Sequence, residues 1–253
     1  MTPGLGMGRA VILGCSHAAG AEMDDEPGLN WGPGLARWRY GAENSYPVLI
    51  AQALGYTPEN HAISGGSNDA MFRIFDSQFD HSNQTDSYTT SLTQDDIVIA
   101  CWTGLDRTEI WHGPDQLWVP LCPGGGRVLV REHDPVMLEG RCIPKPVRDE
   151  ELYQNYRQQW IALAVDTVSA RLNKIKNILA LNAQAQAHGI RVININSFAP
   201  VGNFKWPDTA VWPVDVDFFS WAAEGGYAKT TAGHYYLPAH RAYADLILAK
   251  LDR

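Results

Sequence analysis

The sequence contains no uninterrupted apolar run approaching the roughly 20 residues that a membrane-spanning helix needs. Near Met1 it also lacks a basic region followed by a long apolar stretch, so we expect no secretory signal. These two absences predict a protein without a membrane partner. We expect it in the cytoplasm or in an assembly made there.

Positive charge and cysteine are scarce as well. Lys and Arg number 20 against 28 Asp and Glu, for a formal net charge of -8. This balance argues against a nucleic-acid partner, because phosphate binding needs a basic face. The four cysteines have neither CxxC spacing nor a metal-ligand pattern, so we predict no metal site and no cofactor.

Short apolar runs alternate with segments of helical spacing along the chain. The predicted strands are Arg9 to Gly14, a short one just before Asn60, Asp96 to Cys101, and Arg191 to Ser197. The predicted helices are Asn44 to Leu54, Ser67 to Phe79, Glu150 to His188, and Pro238 to Leu251. This alternation predicts one α/β domain over residues 1–253: a three-layer α/β/α sandwich with a mainly parallel, flavodoxin-like sheet.

Two stretches interrupt the alternation and are interpreted as loop insertions, at about 108–146 and about 199–233. The first is rich in Gly, Pro and Trp, and its segment GGGRVLV predicts one arm of a hairpin. The second holds several aromatic residues among prolines and acidic residues. In the long predicted helix, the apolar positions predict one buried face, formed by Leu152, Tyr156, Ile161, Val165, Val168, Leu172, Ile175 and Ile178.

Four polar motifs stand where strands end or where the last helix begins. They are GCSHAAG (14–20), NHAISGG (60–66), ACWTGLDRTE (100–109) and AGHYYLPAHRAYAD (232–245). Because the carboxyl ends of parallel strands meet at one edge of a sheet, we expect these motifs to converge there. Taken alone, Ser16 is better explained as a helix cap than as a nucleophile.

The combination of motifs resembles the SGNH (GDSL-type) hydrolase family across nearly the whole chain. The matching positions are Gly14-Cys15-Ser16 with Gly20, then Asn60 with Ser64 and Gly65, and finally His234 with His240. The shortened GCS form and the WT-x-x-x-R pattern also resemble divergent members found among tailed-phage proteins.

The resemblance implies a role for each matching residue. Ser16 is the expected nucleophile and His234 the base that takes its proton. The backbone N–H groups of Ser16 and Gly65 are the expected oxyanion donors. His240 is expected to be structural, and a histidine metal pair is not, because positions six apart in a helix do not share a face.

Two positions depart from the family pattern. Leu105 stands where the family has an oxyanion-hole asparagine, and we expect Asn68 to replace it, with Thr103 as the alternative. Thr231 stands where the family has the acid that orients the histidine. A backbone carbonyl or an acid of the preceding loop could take over that role; the candidates are Asp208, Asp215 and Asp217.

Other polar residues near these motifs are given structural interpretations. Asp106, Arg107 and Glu109 are interpreted as an ion cluster that supports the third motif. His17 adjoins the nucleophile, but neighbouring side chains point in different directions, so it is interpreted as a rim or packing residue.

The sequence therefore predicts a serine esterase that hydrolyses an ester bond, with removal of an acetyl group from a carbohydrate as the expected reaction. Its partner would be a small-molecule or glycan ester. One alternative is a catalytically degenerate SGNH-fold protein of a phage particle, structural or glycan-binding, which Leu105 and Thr231 favour. Assembly into a virion or a homo-oligomer stays open, as does an acyltransferase that uses the same residues but excludes water.

Overall fold

A computed structural model describes residues 8–21, 23, 36–63, 65–79, 91–112, 117–121, 155, 158–159, 167–198, 200–202, 204–231 and 233–251. The strands are β1 (Arg9–Gly14), β2 (Thr57–Asn60), β3 (Ile97–Trp102), β4 (Thr108–His112), β5 (Leu117–Leu121) and β6 (Arg191–Asn196). The helices are α1 (Ser16–Ala19), α2 (Ala36–Asn44), α3 (Tyr46–Ala53), α4 (Asn68–Asp76), α5 (Thr167–Ala187), α6 (Phe218–Glu224) and α7 (Leu237–Leu251).

The central sheet has four parallel strands in the order β2-β1-β3-β6. β1 and β3 lie in the middle of the sheet and are covered on both faces, which explains why their sequences are continuous apolar runs. The strand order reverses between β1 and β3, and ligands of open α/β sheets bind at such a switch point. The predicted mainly parallel, flavodoxin-like sheet is confirmed.

The sheet separates two hydrophobic layers. Alternate residues of β1 point to opposite faces, so Ile12 packs with α3, α6 and α7, whereas Leu13 packs with α4 and α5. Helices on both faces complete the predicted three-layer α/β/α sandwich.

Helix α2, helix α6 and the hairpin β4–β5 were not predicted from the sequence, and the last two lie in the expected loop insertions. Helix α6 begins after Asp217, whose carboxylate accepts the Ser220 N–H at 2.8 Å as an N-cap. The antiparallel hairpin β4–β5 pairs Thr108 with Leu121, upstream of GGGRVLV, which lies outside the described residues. Cap and hairpin both depend on a few residues, too few to produce a visible periodicity.

The predicted buried face of the long helix is wrong at Val168 and Leu172, while Leu152, Tyr156, Ile161 and Val165 lie outside the described residues. Val168 is 69% exposed and Leu172 60% exposed. Ile175 and Ile178 are buried as predicted, and the buried side of α5 also includes Lys174, Leu181 and Ala185. Its rotation is set by contacts with the sheet, which place Lys174 inside despite its charge.

Among the helices of the described residues, none has both the length and the apolar character needed to cross a membrane.

Candidate active site

Ser16 lies at the carboxyl edge of the sheet, at the switch point between β1 and β3. It is the first residue of α1, directly after β1, and is only 4% exposed. The N–H groups in the first turn of a helix have no intrahelical acceptor, so that of Ser16 can serve another group.

The turn that carries Ser16 is held from two sides. The Asn60 amide donates to the Ala18 carbonyl at 3.0 Å and ties α1 to the end of β2. Gly20 has a φ of 71°, and its backbone touches that of Gly41 in α2. A Cβ added at either glycine would stand 2.0 Å from the carbonyl oxygen of the other. The position of Ser16 therefore depends on a close backbone contact that only glycine permits.

The second motif lies beside the first. After β2 the chain continues along β1, and the Ile63 N–H donates to the Gly14 carbonyl at 3.0 Å. Gly65 follows with a φ of 78°, the left-handed region that favours glycine. Ser64 lies outside the described residues. This path places the Gly65 backbone next to the turn that carries Ser16.

Asn68, the proposed substitute oxyanion donor, is buried at the same edge. Its side-chain oxygen accepts the Thr103 N–H at 3.0 Å, and its amide nitrogen donates to the Gly104 carbonyl at 3.2 Å. Asn68 therefore joins the start of α4 to the end of β3. An amide nitrogen carries two hydrogens, so one remains available to a ligand.

His234 comes to this edge on a tight hairpin. The Thr230 N–H donates to the His234 carbonyl at 2.7 Å, and the His234 N–H donates to Thr230 Oγ1 at 3.1 Å. The His234 ring lies 4.9 Å, centroid to centroid, from the ring of His17, the neighbour of Ser16. The first and last motifs thus meet, although they lie near opposite ends of the sequence.

His17 is a buried packing residue. Its ring lies 5.0 Å from that of Phe198 and 5.5 Å from that of Phe218, both edge-on. Burial holds the pKa of His17 well below its ordinary value, and the nearby His234 charge lowers it further. The ring is therefore neutral at neutral pH.

His240 is buried one turn into α7. Its Nδ1 accepts the Tyr46 N–H at 3.1 Å, and its ring stacks on that of Tyr46. Burial lowers the pKa of His240 to about 3, against a hydrogen bond to the Tyr235 backbone that raises it. These contacts fasten α7 to the start of α3, which fits the structural role implied by the resemblance.

The candidate substitutes for the missing acid differ in position. Thr231 is exposed in the hairpin turn. Asp208 and Asp215 are exposed, whereas Asp217 is buried as the cap of α6. That a backbone carbonyl or one of these acids orients His234 stays a prediction.

The expected ion cluster of the third motif is wrong. Glu109 forms a two-pronged ion pair with Arg73 of α4, at 2.9 and 3.0 Å. The guanidinium of Arg107 lies instead over the Phe198 ring, 4.9 Å from its centroid. Successive residues of the strand beginning at Thr108 point to opposite faces, and the turn before it directs Arg107 toward the candidate site.

Three cationic residues near the site were missed as site residues. The sequence places Arg107 in the expected ion cluster and indicates no site role for Lys229 or Lys174. Lys174 is fully buried, and burial lowers its pKa to about 8, against the charge of Asp217, which raises it. A lysine within a helical pattern gives no sequence signal of burial. Lys229 precedes His234 by five residues, and that proximity was the one available clue.

Within the part of the chain that the structure describes, no group of three or more His, Cys, Asp or Glu side chains could hold a metal ion.

No protein-family model and no curated protein sequence matches this chain. Solved structures do show similarity. One is the psychrotrophic esterase EstA from Pseudoalteromonas sp., at 12% identity and a TM-score of 0.44, with 96% of each chain covered.

Two carbohydrate-active esterases are similar at the same level. The family two carbohydrate esterase from Cellvibrio japonicus has 13% identity and a TM-score of 0.42, and 98% of this chain covers 62% of that one. The acetyl xylan esterase Est2A from Butyrivibrio proteoclasticus has 10% identity and a TM-score of 0.44, and the whole of this chain covers 66% of that one. At these identities and TM-scores, function has to be argued from the side chains of this chain.

Proposed function

We propose that this protein is a serine esterase in which Ser16 is the nucleophile and His234 the general base. The observation that carries the proposal is the meeting of four motifs at one edge of the sheet. Ser16 lies at the switch point, the Gly65 backbone runs beside it, and Asn68 closes the edge at β3. His234 reaches the neighbouring residue, His17, at 4.9 Å between ring centroids.

The proposed reaction proceeds in two steps. Ser16 Oγ attacks the acyl carbon while His234 takes its proton and passes it to the leaving alcohol. Water then attacks the acyl-enzyme, His234 takes a proton from it, and Ser16 is released with its own proton restored. The N–H groups of Ser16 and Gly65, with the Asn68 amide, would hold the oxyanion.

The proposed substrate is an acetylated carbohydrate. Sugars pack against aromatic faces through their C–H groups, and the candidate site has such faces at hand. Phe198 and Phe219 are half-buried, stack on each other at 5.3 Å and both pack against His17. They would form one wall of the site beside the reacting ester.

A second candidate is a glycan-binding or structural module that has lost catalysis. It is favoured by Leu105, which cannot donate a hydrogen bond, and by Thr231, which cannot orient a histidine as a carboxylate does. Losing one oxyanion donor without replacement costs about 2.7–4 kcal/mol of barrier. A place in a phage particle or a homo-oligomer would belong to this candidate.

Hydrolysis of p-nitrophenyl acetate by the wild type, Ser16→Ala and His234→Ala tests the proposal. We expect kcat/KM to fall by about 10³-fold or more in each variant. Ser169→Ala and His188→Ala remove the same groups from exposed positions and should retain wild-type rates.

The outcomes separate the two candidates. Activity that survives both Ser16→Ala and His234→Ala would show that the assigned site is wrong. A folded wild type that hydrolyses neither this ester nor a panel of acetylated glycans would favour the binding module.

A further inference from the structure

We infer that the candidate site takes an ester whose molecule also carries a carboxylate, which Arg107 and Lys229 bind. This inference rests on the proposed function and specifies its substrate class. It arises from two cationic side chains that stand beside the site and have no acidic partner within the described residues.

Arg107 is presented to the site by the loop after β3. Its guanidinium lies 4.9 Å from the Phe198 ring centroid, and Phe198 packs 5.0 Å from His17. Its Nη1 is buried, and no hydrogen-bond partner for it exists among the described residues. A buried guanidinium N–H without a partner costs free energy, and a ligand oxygen would recover it.

Lys229 is presented by the hairpin that carries His234. Its Nζ lies 4.3 Å from the Phe219 ring centroid and 4.7 Å from that of Tyr235. Phe219 in turn packs 5.7 Å from His17. The two cations therefore each stand one aromatic ring away from His17, beside the candidate nucleophile.

The acidic side chains nearby form no ion pair with Arg107 or Lys229 within the described residues. Asp106 is exposed, and its Oδ1 lies beside Gly104. Asp217 caps α6, and Glu109 pairs with Arg73. Across the described residues no carboxylate forms an ion pair with Arg107 or Lys229, so the positive charge is left for a ligand.

The chemistry of the pair favours a carboxylate. A guanidinium offers parallel N–H donors that match two carboxylate oxygens, and an ammonium adds a point charge. The molecule as a whole carries a net charge of -8, so it repels anions in general. A local cationic pair would then select anionic substrates against that background.

Matched esters test the inference and show on which side of the ester the carboxylate lies. On the acyl side, 4-nitrophenyl hydrogen succinate is compared with 4-nitrophenyl butyrate. On the alcohol side, an acetylated methyl galacturonide is compared with the acetylated methyl galactoside. We expect the wild type to prefer the anionic ester in one of these pairs by about tenfold or more in kcat/KM.

Variants that remove one charge test whether Arg107 and Lys229 cause the preference for the anionic ester. In Arg107→Gln and Lys229→Gln, the ratio of anionic to neutral kcat/KM should fall by about 10-fold, as expected from the loss of one charge-assisted hydrogen bond. Arg107→Lys should recover part of the ratio. Arg241→Gln and Lys250→Gln remove the same charges from exposed positions of α7 and should leave the ratio unchanged.

The inference and the proposed function can fail separately. Hydrolysis that depends on Ser16 with no preference for either anionic ester, or a preference that both variants retain, would overturn the inference alone. If the wild type hydrolyses nothing, binding to Ser16→Ala is measured by ligand NMR for both pairs: monomethyl succinate against methyl butyrate, and the acetylated methyl galacturonide against the acetylated methyl galactoside. Preferential binding of an anionic ester that Arg107→Gln abolishes supports the inference, and equal or absent binding within both pairs overturns it.

Discussion

At the residue scale, His17 and His240 are two histidines that burial keeps neutral. Burial holds the pKa of His17 well below its ordinary value and lowers that of His240 to about 3. Both lie close to His234, and each of their pKa values is lowered further by its charge. Neutral neighbours suit a general base, because they do not add charge beside the imidazolium that forms when Ser16 is deprotonated.

These histidines predict a loss of stability in mild acid. The unfolded chain takes up a proton at each histidine near the ordinary pKa of 6.5, whereas folded His240 does so only near 3. The free energy of unfolding is therefore highest above pH 6.5 and falls as the pH drops from there toward 3. Each buried histidine contributes a slope of up to about 1.4 kcal/mol per pH unit.

Urea unfolding of the wild type and His240→Gln, from about pH 7 down to about pH 5, measures this slope. Glutamine can still accept the Tyr46 N–H but does not titrate. The variant should therefore lose one histidine's share of the slope, while Asp96 and Glu59 contribute equally to both proteins. Identical slopes would show that His240 titrates in the folded protein as it does in the unfolded chain.

At the element scale, the amino end of α4 fastens several elements to the candidate site. Ser67 caps the helix by accepting the Ala70 N–H at 3.0 Å. Asp69 accepts hydrogen bonds from Asn173 and Asn177 of α5, each at 2.9 Å, and from Thr108 of β4 at 3.0 Å. Asn68, between them, binds the backbone after β3. The position of the third motif therefore depends on α4.

Substitutions in this segment separate an oxyanion role of Asn68 from a purely structural one. Asn68→Ala leaves the Thr103 N–H without its acceptor and should cost about 1–3 kcal/mol of stability. If Asn68 also donates to the oxyanion, kcat should fall by about 10²–10³-fold at unchanged KM. Ser67→Ala, which removes the cap, should cost about 1 kcal/mol with little change in kcat.

Esterase assays on both variants, with stability measured by urea unfolding, give the comparison. An Asn68→Ala enzyme that is folded at the assay temperature and keeps its wild-type kcat would remove Asn68 from the oxyanion hole. The Ser16 and Gly65 N–H groups would then be the remaining donors.

At the scale of the whole molecule, the two central strands are sealed by helices on both faces. Cys15, directly after β1, and Cys101, in β3, are free thiols with no exposed surface. Burial raises the pKa of the Cys101 thiol above its ordinary value. Because the thiolate is the reactive form, both thiols should be inert while the sheet stays covered.

Alkylation of these thiols should therefore report global unfolding. Cys122 and Cys142 lie outside the described residues, so the test uses the Cys122→Ser/Cys142→Ser variant. In native buffer we expect labelling of Cys15 and Cys101 to be slow, and to increase with urea in parallel with the loss of the circular dichroism signal. Rapid labelling of Cys15 without loss of structure would mean that the turn carrying Ser16 opens on its own.

The strands and most helices were predictable because local patterns determine them. A continuous apolar run such as Ile97–Trp102 needs cover on both faces, and that implies a parallel sheet between helices. The cap at Ser67 and the proline at the start of α3 likewise act within one turn. The geometry of parallel strands places the four motifs at one edge, and together with the family resemblance it predicts Ser16 and His234 as the reacting residues.

By itself, then, the sequence determined the layers, the direction of the strands and the edge at which chemistry is expected, since these depend on short-range pattern and burial. Tertiary structure decided which side chains meet there. It rotated α5 so that Lys174 is buried and Leu172 is exposed. It also placed Arg107 against Phe198, while Glu109 forms an ion pair with Arg73. Such pairings join residues from distant parts of the chain, and their energies depend on distances that exist only once the layers have packed.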